Sequence, residues 1–333
     1  MNNNVSPIRE GVYSPDWQQD FRLALKSLTD LEEYFEVGFP QTPYSQFIPR
    51  PFALKIKNAG EGSPLWRQFL PADEESEDGG LVDPIADEHY SKGKGIIHRY
   101  KNRILYTPTE VCPIQCRYCF RKNELLQNSD VFKNNLEVAI NYLENNPQVE
   151  EVILTGGDPL VLANHKIEQI LEAFSKVPSV KMIRFHTRTP IILPNRLDDE
   201  LLDLLKRYAH KFTILSLVIH TNHLSEWTPE FLYALQKLRP LGINLLSQSV
   251  LLKGVNDNWL DLKVLFSSLV ANGVNPYYLH HPDPTKGAMH FMLSREEGEL
   301  IYKKLKEESS GFLLPHYVVE QPNGAGKIFA LNS

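Results

Sequence analysis

The only three cysteines among the 333 residues fall within one run, Cys112-Pro-Ile-Gln-Cys116-Arg-Tyr-Cys119. Random placement would scatter them, so their proximity points to a shared task. A disulfide between two of them would leave one thiol over. A structural zinc site takes four ligands, usually as two separated pairs, and the sequence has no second pair. Iron–sulfur clusters are held by thiolates, four for a closed cubane. Three thiolates leave one iron open, and an open coordination position is what a catalytic metal centre needs. The residues point to a [4Fe–4S] cluster with one open iron; the alternative is three buried, unliganded cysteines clustered by chance.

Three other stretches carry chemistry-bearing residues. Gly156-Gly157-Asp158 leaves an apolar run, and glycine lets a backbone approach a ligand closely or take positive φ; the same residues also suit a plain turn. Pro322-Asn-Gly-Ala-Gly-Lys327 sets a lysine after a flexible turn. It lacks the spacing and the following Ser/Thr of a P-loop. It reads either as a solvated tail lysine or as one that holds an aldehyde cofactor, a role for which lysine is the usual residue. His98-Arg99-Tyr100-Lys-Asn-Arg103 reads on its own as a basic surface patch.

The elements that must position these residues alternate in type. Apolar runs rich in β-branched and aromatic residues at 104–107, 149–154, 180–186, 212–220, 243–250 and 276–280 read as strands. Helix-period stretches at 131–144, 165–176, 198–208, 229–238 and 259–271 lie between them. Repeated βα units argue for a parallel sheet with crossover helices, either open or closed as a barrel. Chemistry in such folds sits at the C-terminal ends of the strands. There the sequence places Cys112 to Cys119, Gly156 to Asp158, Thr187 and Arg188, His220, Gln248 and Asp283. Before the first strand, 17–27 has helical spacing and Thr29-x-x-Glu32 reads as a capping box opening a second helix. Prolines 40, 43, 49 and 51 break regular structure, and the acidic run 72–80 reads as a solvated loop.

At 42% hydrophobic and 23% charged residues, the composition is that of an ordinary globular chain with ample core. The net charge of −6 gives no reason to expect nucleic-acid or anionic-membrane binding. No apolar run approaches the ~20 residues of a membrane span. The start of the chain has neither a charged n-region nor an apolar h-region, so no signal peptide is expected. A cytoplasmic protein is the expectation, which also suits free thiolates.

The C-x3-C-x2-C spacing, with aromatic Tyr118 before the last cysteine, resembles the cluster-binding loop of the radical S-adenosylmethionine (SAM) enzymes. The resemblance implies that SAM binds the open iron and is cleaved by one electron to a 5′-deoxyadenosyl radical. It also implies the fold: an α/β partial (βα)6 barrel at 91–310, with an N-terminal helical extension at 1–90 and a C-terminal lysine-bearing segment at 311–333. Gly156, Gly157 and Asp158 match the family's glycine-rich motif beside the SAM amino group, and His220 and Gln248 match positions that contact SAM.

Residues 84–327 are further similar to the lysine 2,3-aminomutase family. That resemblance implies that Lys327 holds pyridoxal 5′-phosphate (PLP), that Arg99 and Arg103 bind its phosphate, and that Tyr100 packs on its ring. Arg121 matches the arginine that pairs with the amino-acid carboxylate. Asp283 and Glu320 match two acids that hold the distal ammonium of lysine, where a buried cation needs opposite charge. Glu320 stands where the family usually has aspartate, one methylene shorter. The implied enzyme is an isomerase, an intramolecular aminotransferase that converts L-lysine to β-lysine. With no spare cysteine and an end at Ser333, the chain resembles the subgroup that makes (R)-β-lysine for modification of elongation factor P. That implies two partners, a lysyl-ligase that receives β-lysine and a flavodoxin- or ferredoxin-type reductant, and it allows a homo-oligomer. Two alternatives stand beside this reading: production of free β-lysine for metabolism, and a non-catalytic iron–sulfur electron-transfer protein.

Overall fold

The computed structural model describes residues 12–126, 134–322 and 326–331. The strands are β1 (Ser91–Gly93), β2 (Ile96–Tyr100), β3 (Arg103–Thr109), β4 (Glu151–Gly156), β5 (Met182–Thr187), β6 (Ile214–His220), β7 (Asn244–Val250), β8 (Asn275–His280), β9 (His316–Gln321) and β10 (Gly326–Phe329). They form one sheet in chain order. The ladder from β3 to β9 is parallel throughout. Antiparallel pairs flank it, β1 and β2 on one side and β10 on the other. Every expected strand is present. A parallel strand inside the C-terminal segment, β9, adds to them.

Crossover helices Leu136–Glu144, Asn164–Ser175, Asp199–Ala209, Pro229–Leu238, Trp259–Ala271 and Arg295–Glu308 join successive parallel strands, so β3 to β8 each begin a βα unit. Their apolar faces turn towards the sheet. In Asp199–Ala209, Leu201, Leu202, Leu204, Leu205 and Tyr208 are all buried, the width of stripe that a core-facing helix needs. The expected helix at 131–144 begins at Leu136, capped by Asn135, whose side chain accepts from the Val138 amide; residues 131–133 lie outside the described ones.

Strand β5 shows how the sheet divides its faces. Ile183, Phe185 and Thr187 are buried under the helices, while Met182, Arg184 and His186 are half-buried on the opposite face. That period of two places polar side chains in the interior of the curled sheet. The sheet curls until its ends meet: the Lys327 amide of β10 donates to the Tyr100 hydroxyl of β2 at 2.8 Å, and Arg99 of β2 pairs with Glu320 of β9. Contacts through side chains join the two ends, and among the described residues no strand ladder does.

The N-terminal helices include Trp17–Arg22, Leu28–Phe35, Arg50–Ala59 and Pro64–Phe69. Their apolar residues, among them Leu31, Phe52 and Phe69, share one buried cluster with barrel residues such as Ile183 and Leu217. Several sequence expectations change here. The helix read over 17–27 ends at Arg22, with Leu25 bridging to Ile48 instead. Pro51, read as a breaker, lies in the first turn of Arg50–Ala59, where its missing N–H costs nothing. The second helix is capped two residues earlier than read, by Ser27 with Asp30 in a reciprocal capping box, because Ser27 has the extended backbone that a cap requires. The acidic run is not wholly solvated. Glu75 is 7% exposed and forms an ion pair with Arg117 of the cysteine loop.

Candidate active site

The expected site residues meet in two adjoining cavities, one at the C-terminal ends of the parallel strands and one deeper in the barrel, beside the first residues of β3. The larger, about 1350 Å³, is lined by Cys112, Cys116, Cys119, Arg121, Gly156, Gly157, Asp158, His220, Gln248 and Asp283. The smaller, about 600 Å³, is lined by Arg99, Tyr100, Arg103, Arg184, Tyr278 and Glu320. Lys327 lines both, as do His186, Ile85 and Leu105.

The cysteine loop follows β3 and is held by buried charge. Arg117, 2% exposed, donates to Glu75 and to Gln46 Oε1 at 3.2 Å. Its amide donates to the Gln68 carbonyl at 2.8 Å. Burial first, then the Cys116 thiol, push Cys119 up to about 11. Burial likewise raises Cys112 and Cys116. The three are free thiols. Such thiols keep their protons until a bound cation displaces them. Among the described residues no three His, Cys, Asp or Glu side chains converge on a point where one metal ion could sit. A cubane asks for a looser arrangement, one thiolate for each of three irons, and the free thiols on one cavity wall fit that demand.

The glycine pair has a local reason to be glycine. Gly156 has φ +107, and a Cβ there would lie 2.7 Å from the Thr109 carbonyl oxygen. A Cβ on Gly157 would lie 2.3 Å from the Val111 carbonyl oxygen. The turn instead uses its backbone: Gly157 N–H donates to Thr109 O and Asp158 N–H to Val111 O, both at 2.8 Å. The pair thus seats the backbone immediately before Cys112. Asp158 lines the cavity, but its carboxylate is already engaged. It accepts from Thr187 Oγ1 at 2.7 Å and from the amides of Leu160, Arg188 and Thr189 at 3.0, 2.6 and 2.9 Å. Its side chain ties the turn after β4 to the turn after β5. His220 Nε2 lies 3.0 Å from the Tyr118 hydroxyl, and burial lowers its pKa far enough to keep the imidazole neutral.

The charged residues form a continuous chain of pairs. Lys327 Nζ lies 2.9 Å from Glu320 Oε2, and Glu320 also pairs with Arg99. Arg99 Nη2 lies 3.7 Å from Asp87 Oδ1, and Asp87 Oδ2 accepts from Arg121 Nη2 at 2.6 Å. Arg99 donates as well to the Ile85 carbonyl. Arg103 stacks on Tyr100, 3.6 Å from the ring centroid, covering one face of that ring. Burial, reinforced by Glu320 and opposed by Lys327, pushes Asp283 up to about 7. The Gly-Ala part of the turn before Lys327, with Asn323, lies outside the described residues.

Some cavity residues were not singled out from the sequence. Arg184 and His186 were discoverable, because alternation along β5 directs both to the interior. Burial leads the causes that lower His186, with Arg184 next, and its Nε2 has no hydrogen-bond partner among the described residues. His280, at the end of β8, is held down to about 3 by burial and Lys327. Glu75 lies in an acidic run and Asp87 beside Glu88, so neither stands out from the sequence.

A barrel of six βα units with a three-cysteine loop after its first parallel strand is the architecture of the radical SAM enzymes, and the profile of the Radical SAM superfamily matches residues 106–263. An L-lysine 2,3-aminomutase of Haemophilus influenzae is 36% identical over 310 residues, covering 91% of each chain. One of Buchnera aphidicola is 38% identical, covering 98% of this chain and 94% of the relative. One of Escherichia coli is 37% identical over 80% of this chain and 78% of the relative. The chain belongs to the lysine 2,3-aminomutase family.

Proposed function

We propose that the protein is a radical SAM, PLP-dependent isomerase that converts L-lysine to β-lysine, the (R) form, for attachment to elongation factor P. The observation that carries the reading is the position of Lys327. It stands where the cysteine-lined cavity meets the arginine-lined one. A cofactor bonded to that amine is within reach of whatever binds beside the thiols. When bound, the cluster with SAM supplies the radical that takes hydrogen from the substrate, and PLP supplies the carbonyl carrier for the migrating amine.

The chain's own residues bind, orient and enclose. Cys112, Cys116 and Cys119 would hold the cluster. Gly156 and Gly157, which seat the cysteine loop, also border the cavity proposed for SAM, and His220 and Gln248 line its wall. Arg103, Arg99 and Tyr100 border the phosphate and ring of PLP, a suitable task for guanidinium forks. Arg121 takes the substrate carboxylate, and Asp283 takes the distal ammonium, joined by Glu320 when Lys327, which it now pairs with at 2.9 Å, is taken up by the cofactor. An acidic pair opposite one arginine selects an amino acid with a cationic end, because each buried charge then finds its opposite.

Support for the elongation-factor destination is the absence of any cysteine beyond the three of the cluster. The proposed partners are a lysyl-ligase that receives the product and a flavodoxin- or ferredoxin-type reductant. Among the described residues no helix is long and apolar enough to cross a membrane, and a cytoplasmic site of action is part of the proposal. The test is an anaerobic assay of cluster-reconstituted protein with reductant, SAM, PLP and L-lysine, followed by chiral analysis. (R)-β-lysine is expected. The (S) product would move the enzyme to free β-lysine metabolism, and no β-lysine from protein with intact cluster and bound PLP would overturn the substrate.

A further inference from the structure

Asp87 belongs to none of the expected binding sets, yet it sits between two of them. It is 1% exposed and opens a short helix, Asp87–Tyr90. The residue before it, Ala86, has φ 58, and the Asp83 carboxylate accepts from the Asp87 and Glu88 amides at 2.9 and 3.0 Å. The backbone at Asp87 is therefore fixed from two directions. Its Oδ2 accepts from Arg121 Nε at 3.1 Å and Nη2 at 2.6 Å, and its Oδ1 lies 3.7 Å from Arg99 Nη2.

The geometry at Arg121 specifies what remains available. Asp87 occupies the Nε/Nη2 side of the guanidinium, Glu124 Oε2 lies 3.8 Å from Nε on that same side, and Nη1 donates to Thr155 Oγ1 at 3.3 Å. The terminal Nη1/Nη2 edge is left for a carboxylate in the larger cavity, which Arg121 and Thr155 both line. A guanidinium recognises a carboxylate through two parallel donors, so its orientation matters as much as its charge. An arginine in an open cavity otherwise samples many rotamers, and ordering it costs entropy.

We infer that Asp87 is a positioning residue that fixes Arg121 for the substrate carboxylate and, together with Glu320 and the Ile85 carbonyl, holds Arg99 for the cofactor phosphate, so that one buried acid links the two anion subsites. This rests on the aminomutase reading of Arg121 and Arg99. Asparagine at 87 keeps the shape but removes the charge that two guanidiniums share. Glutamate keeps the charge but displaces it by one methylene.

The test compares wild type with Asp87→Asn in cluster-reconstituted protein. At saturating PLP, the KM for L-lysine is measured beside the inhibition constant of 1,5-diaminopentane, which has the distal ammonium but no carboxylate. The expected result is a KM raised about tenfold, equivalent to ~1.4 kcal/mol, with inhibition by the diamine unchanged. PLP affinity, titrated by absorbance without lysine, should fall in parallel. A general structural defect would weaken lysine and diamine equally, and that result overturns the inference; so does an unchanged KM. If Asp87→Asn fails to fold, Asp87→Glu decides by the same selective loss. Failure of the wild type to turn over L-lysine would be a failure of the functional reading, and the PLP titration alone would then judge Asp87.

Discussion

Adding one methyl group at Gly157 tests whether the glycine pair exists to seat the cysteine loop. The new Cβ would lie 2.3 Å from Val111 O, 2.6 Å from Glu110 C and 2.6 Å from Val111 N. All three are backbone atoms, so no side chain can rotate away. Relief requires the loop to move by about an ångström, and overpacking of this kind costs ~1–3 kcal/mol. The movement also stretches the two backbone hydrogen bonds at 2.8 Å that hold Thr109 and Val111, each worth ~1 kcal/mol net. Together these effects shift the balance between seated and displaced loop by ~2–4 kcal/mol, or roughly 30- to 1000-fold. Because Cys112 follows Val111 directly, Gly157→Ala should hold cluster poorly. Iron and sulfide per chain after anaerobic reconstitution should fall well below wild type, along with the charge-transfer absorbance. The global fold should persist by far-ultraviolet circular dichroism. A variant with full iron content and unaltered SAM binding would refute the reasoning, because it would mean that the loop is not seated on this turn.

Three further outcomes follow from the same geometry. Asp283, raised to about 7, must lose its proton to pair with the substrate ammonium, so lysine should bind more tightly as pH rises from 6 to 8. Below its pKa the affinity should drop by up to ~tenfold per pH unit; a KM for lysine that is flat across this range, or that varies equally in Asp283→Asn, contradicts the assignment. Glu75→Gln leaves Arg117 buried beside a neutral partner, a change that typically costs ~3–5 kcal/mol. Chemical denaturation should show a loss of that order, and an unchanged midpoint would show that the pair does not hold the loop. His186→Leu removes a buried nitrogen that lacks a partner, whose desolvation costs ~1–3 kcal/mol. The variant should melt higher than wild type while turning over lysine more slowly, and a lower melting temperature with full activity would exclude a ligand-facing role.

The legible part of this protein was local in sequence. The cysteine run, the glycine pair and the alternation of strand and helix each depend on residues within a dozen positions, and the structure places them as read. Strand β9 escaped because His316 to Gln321 alternates weakly and ends at the turn before Lys327, so its resemblance-derived role hid its pairing with β8. What the sequence could not display was the sign-by-sign matching of distant charges. Glu75 and Asp87 look like solvated acids because nothing within a turn of either betrays an arginine. Their partners, Arg117 and Arg121, lie in the cysteine loop, more than 30 residues further along the chain. Burying those acids is tolerable because each arrives opposite a guanidinium; either group alone would carry the full desolvation cost. The N-terminal segment and the cysteine loop therefore depend on each other: the loop supplies the cations that allow Glu75 and Asp87 to be buried, and those acids hold the loop where its thiols face the cavity.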